Sequence, residues 1–140
     1  MRPVIAGFVA GAIGVAIGHQ FGWLVLHELG LAPFGFYQMK AIPPWGVPQI
    51  VSQCFWGGIW GIVLAYALPY RGRINYWVFA ALFGLVAPSL VGWLVVPLIK
   101  GTPLMGGPPW LLQAVRPLPN AAFTVVAAMI LLIPPLRSHA

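Results

Sequence analysis

The chain has 140 residues, 61% of them apolar and only 6% charged, with a formal net charge of +6 from seven basic residues against a single acid, Glu28. A soluble domain needs a charged surface, so this composition excludes one. The basic residues stand singly at the ends of apolar runs, which excludes a nucleic-acid partner, and the single cysteine, Cys54, excludes an internal disulfide or a thiolate metal cluster.

The expected class is an all-α polytopic membrane protein, one domain over residues 1–140 with four transmembrane helices at about Val4 to Leu31, Val47 to Leu68, Tyr76 to Ile99 and Leu118 to Ile133. At about 1.5 Å per residue each comes near the roughly 30 Å of a hydrocarbon core, the last being the shortest. Within the first, Gly7, Gly11, Gly14 and Gly18 recur at spacings of four, three and four. At about 100° per residue they stay within roughly 60° of one another, a smooth stripe for close approach by another helix. Ala12 and Ala16 thin the opposite side, so neighbours are expected on two sides. The apolar run after Arg2 is far longer than that of a signal peptide, and a retained first span is expected.

APFGFYQMKAIPPWG, after the first span, reads as an interfacial connection. The second span carries Trp56-Gly57-Gly58-Ile59-Trp60-Gly61, in which Gly57 and Gly61 are spaced to receive the glycine stripe of the first. A tight turn, PYRGRIN, leads to the third span, where Pro88 should kink the helix and free a carbonyl near Gly84 for neighbouring helices or Ser89 to satisfy. In the last connection Trp110 to Arg116 is expected as a short helix at the interface or dipping back into the bilayer. Pro43-Pro44-Trp45 recurs as Pro108-Pro109-Trp110, an offset of 65 residues that also carries Pro69 onto Pro134. Two tandem helical hairpins related by an axis along the membrane normal would produce such an offset.

Arg2, Arg71, Arg73 and Arg137 fall on one side, Lys40, Lys100 and Arg116 on the other. The first group hugs the span ends in short segments, which favours both termini in the cytoplasm of a bacterial inner membrane. The glycine-rich first span, the GGIWG core of the second and the third span's Pro97 followed by Gly101 and a Pro/Gly loop resemble the YagU-like inner-membrane proteins. That resemblance implies four spans and no established activity, and it brings no catalytic residues.

Polar residues inside spans are costly and are functional candidates by default. His19, Gln20, His27, Glu28, Gln49, Gln53, Arg116 and Asn120 all belong to the outer half under this topology. His19, Gln20, Trp23 and His27 lie within roughly 100° on the first helix, and Gln49 and Gln53, one turn apart on the second, can face them. The cluster is expected to lock helices together, to form a site for a ligand, ion or pigment, or to contact lipid headgroups. Glu28 is expected to pair with Arg116 or Lys100. His19 and His27, about 12 Å apart along the axis, cannot share a metal. A haem or bacteriochlorophyll would take His19 alone, with Val15 one turn earlier narrowing the space for it.

No nucleophile elbow, phosphate loop, HExxH motif or paired carboxylate occurs, so an enzyme is not expected. Little soluble surface, seven tryptophans and several small-residue helix faces point to a non-catalytic accessory or scaffolding subunit of a membrane assembly, or a homo-oligomer. The competing expectation is a small transporter or channel, with the outer polar cluster as vestibule and Pro88 as hinge.

Overall fold

A computed structural model describes residues 2–134; Arg137, one of the residues used for orientation, lies outside them. Four helices are long and apolar enough to cross a membrane: Pro3–Glu28, Gln49–Tyr70, Tyr76–Lys100 and Trp110–Leu131. They run alternately up and down. The short turn after Tyr70 lies with the start of the first helix at one end of the bundle, here the terminal end. The two long connections lie at the other, the loop end.

The first and fourth helices form the centre, the second packs on the first, and the third packs on the fourth. The glycine stripe sets this arrangement, but it is divided between two neighbours. A Cβ on Gly7 would lie 2.7 Å from Ile62 Cα of the second helix, and one on Gly11 would fall on the Gly57 carbonyl. One on Gly14 or Gly18 would instead lie 2.5 Å from the carbonyl oxygens of Phe123 or Ala122 in the fourth helix. Gly22 continues the series, its Cβ position 2.8 Å from Pro119 Cα. Gly57 and Gly61 do receive the first helix, as their spacing predicts. The alanines that pack are Ala6 and Ala10, buried with Leu64, Ala80, Ala127 and Ala128 in the terminal-end core, while Ala12 and Ala16 stay partly exposed.

Local chemistry sets the helix ends. Asn75 caps the third helix, its Oδ1 accepting from Trp77 N at 2.9 Å. That helix closes on Gly101, whose φ of +63° suits glycine, with Thr102 N donating to Pro97 O at 3.0 Å. Within it the carbonyl near Pro88 is satisfied as expected: Ser89 Oγ donates to Gly84 O at 3.3 Å, and Asn120 Nδ2 of the fourth helix donates to Ser89 Oγ at 2.9 Å. Thr124, fully buried, donates to Ala80 O at 2.8 Å and ties the same pair of helices.

Two expectations are corrected. The segment from Trp110 to Arg116 is no separate interfacial helix; it is the first part of the fourth, which therefore starts at Trp110 and not near Leu118. Arg116 keeps helical angles (φ −52°, ψ −33°) ahead of Pro117, and a proline removes a donor without forbidding the helical φ. The connection after the first helix also carries a short hairpin, in which Ala41–Ile42 pairs antiparallel with Val47–Pro48. The two Pro-Pro-Trp elements do not occupy equivalent places, since the first sits at the tip of that hairpin while Trp110 opens a helix. A two-fold relating tandem hairpins would also make the second and third helices as close as the first and fourth, and they barely touch.

Candidate functional site

At the loop end the bundle opens into a cleft of about 270 Å³ lined by His19, Gln20, Trp23, Phe34, Gly35, Gln38, Gln49, Gln53, Arg116 and Asn120. Six of the eight polar residues singled out from the sequence meet here. They come from the first, second and fourth helices, and Phe34 to Gln38 of the long connection supplies a wall.

A wider turn of the first helix, the π-helical segment Val15–His19, leads directly into the residues that face the cleft. Gln20, 3% exposed, is the hub. Its Nε2 donates to Gln53 Oε1 at 3.1 Å, joining the first and second helices, and its Oε1 accepts from Tyr37 N at 2.8 Å. The Tyr37 hydroxyl donates to Ala16 O at 2.7 Å, inside the π-helical turn. These two bonds hold Tyr37 at φ +52°, a conformation that costs a bulky residue about 1 kcal/mol or more, and with it they fix the wall of the cleft.

His19 Nδ1 lies 3.3 Å from Gln20 Nε2, and His19 Nε2 lies 3.3 Å from Trp23 Nε1. A neutral imidazole accepts at one nitrogen only, so it serves one of these donors at a time. Both nitrogens face protein donors, and Phe123 stands edge-on at 6.5 Å. The ring therefore offers no nitrogen to a haem or bacteriochlorophyll, and that reading is set aside. Among the described residues no group of three or more His, Cys, Asp or Glu side chains could hold a metal ion.

The other two residues lie elsewhere. His27 is exposed and its Nδ1 lies 3.1 Å from Ala32 O, where it helps close the end of the first helix. Glu28, also exposed, forms no ion pair among the described residues. The expected pairing with Arg116 or Lys100 fails because Glu28 points outward from the helix end while Arg116 turns inward beneath the last connection. A Cβ on Gly106 would lie 3.1 Å from Arg116 Nη1, and the φ of +81° there favours glycine in the loop that passes over the guanidinium. Arg116 Nε is buried without a hydrogen-bond partner, as is Gln113 Oε1. Gln113 Nε2 donates to Gly107 O at 3.0 Å and pins that loop.

Tyr37, Gln38 and Gln113 were not foreseen as parts of this region. Gln113 carries a signal, being a lone amide within the apolar WLLQAV. Tyr37 and Gln38 carry none, because their role depends on how a twenty-residue connection folds back. The cleft holds one formal positive charge, several amides and no carboxylate. That inventory can bind and orient a ligand but lacks the paired titrating groups of acid–base catalysis. No known protein family, curated protein or solved structure matches this chain.

Proposed function

We propose that the chain is a non-catalytic integral membrane protein that holds a polar ligand in its loop-end cleft. One observation carries this reading: six polar side chains, on three helices otherwise built of apolar and small residues, converge on a single recess. An amide or guanidinium away from water is costly unless partnered, and a lock between helices needs only the Gln20–Gln53 bond. A second lock, Asn120 to Ser89, joins the fourth helix to the third, and the His19, Gln49 and Arg116 side chains are surplus to adhesion. The recess is near the small end of ligand pockets, so the ligand is small or is one end of a larger molecule.

Four apolar helices support insertion in a bilayer, and Arg71 and Arg73 in the terminal-end turn favour a cytoplasmic terminal end in a bacterial inner membrane. The cleft then opens toward the opposite surface. With no domain beyond its helices and their connections among the described residues, the protein acts in this reading as a ligand-holding accessory subunit of a larger membrane assembly or of a homo-oligomer. The backbone contacts at Gly11, Gly14 and Gly18 support a closed bundle below the cleft over a conducting one. The resemblance to YagU-like proteins is compatible with this and adds no residue roles.

Native mass spectrometry of protein released from mild detergent should find a small-molecule adduct. Gln53→Trp, which fills the cleft, should remove that adduct while far-UV circular dichroism stays helical. A protein bare in every preparation would end this reading. Solute flux in liposomes that His19→Ala abolishes would establish a transporter instead.

A further inference from the structure

Resting on the cleft as a ligand site, we propose that what it holds is a phosphate group, carried on a lipid headgroup or on a soluble molecule, with the Arg116 guanidinium as its charge partner. Arg116 is the only formally charged residue lining the cleft, and no carboxylate lines it. Its Nε is buried and unpartnered, and no other described residue accepts a hydrogen bond from the guanidinium. The single acid of the chain, Glu28, is exposed outside the cleft. A cation partly withdrawn from water in this way is stabilised by an anion, and the described residues place none beside it.

The choice of phosphate follows from the donors. The Arg116 fork comes from the fourth helix, the Gln49 amide, which has no protein partner, from the second, and Asn120 again from the fourth. Gln53 bonds to Gln20 through its oxygen, which leaves its amide N–H groups to donate. Donors on two helices around one recess match a group with several acceptor oxygens, and a guanidinium fork fits two of them at once. The loop at Gly106 passes close to Nη1, so the guanidinium lies under the last connection at the edge of the recess.

The test is thermal unfolding of delipidated protein in a phosphate-free maltoside detergent. Inorganic phosphate, glycerol 3-phosphate and phosphatidylglycerol in mixed micelles are each compared with chloride at equal ionic strength. At least one phosphate source should raise Tm by roughly 5 °C or more near saturation. Arg116→Gln should abolish the rise, and Arg116→Lys should keep part of it. A rise with phosphatidylglycerol alone identifies a headgroup; a rise with the soluble esters or phosphate identifies a free ligand. Equal melting in chloride and in all phosphate sources overturns the proposal, as does an equal rise in Arg116→Gln. Should that variant fail to fold, the wild-type comparison and Arg116→Lys decide. An uncharged adduct in the mass spectrum that Arg116→Gln retains would sink the phosphate and leave the ligand site standing, whereas a bare protein would sink both.

Discussion

At the terminal end the first and second helices meet through bare backbone and small apolar side chains, with Gly7 and Gly61 in contact and Ala6, Ala10, Ala127 and Ala128 buried. The Tyr76 and Thr124 hydroxyls add bonds there, each between the third and fourth helices. At the loop end amides, a tyrosine and an arginine take over, and the helices part around them. The difference separates two tasks. Contact through glycine depends on shape alone and fails if any atom is added, whereas a hydrogen-bonded rim tolerates changes in size but not the loss of a partner.

Substitutions should break this contrast in a definite order. Gly11→Val places a side chain on the Gly57 backbone, where nothing flexible can yield. We expect a loss of about 3 kcal/mol or more and no monodisperse peak in detergent size-exclusion chromatography. A well-behaved variant would show that the close approach is dispensable. Gln20→Leu removes the hub of the rim and should cost about 1–3 kcal/mol. Hydrogen exchange should then rise in residues 33–38 while Ala127 and Ala128 stay protected; uniform deprotection would mean that the two ends are not separate. Glu28→Gln, at an exposed position without a partner, should leave the melting temperature unchanged, and a clear drop would reveal an interaction of the acid.

Much of the terminal end is legible in the sequence because glycine spacing maps directly onto helix geometry. Gly57 and Gly61 could be matched to the first helix by periodicity alone, and the need for Ser89 follows from Pro88. Division of the stripe between two partners is not legible, since spacing gives a face and not what covers it. In the candidate site, Gln20, Gln49 and Gln53 were identifiable as polar residues in apolar runs. Helical phase groups His27 with them and the expected topology groups Glu28, but both lie exposed at the end of their helix, where the chain turns away. The fourth span reads as starting near Leu118, yet the helix runs through Pro117 and Pro119 from Trp110 because a proline's fixed φ is compatible with a helix and the lost donors can be tolerated.

The π-helical segment Val15–His19 holds one residue more than ordinary winding would. Rewinding it to regular pitch would rotate everything beyond it by about 100°, carrying His19 and Gln20 away from Gln53 and Gly22 off Pro119. Shape in the recess is thus coupled to the winding of a single segment, and Tyr37, bonded to Ala16 within it, acts as the latch that keeps that slack in place.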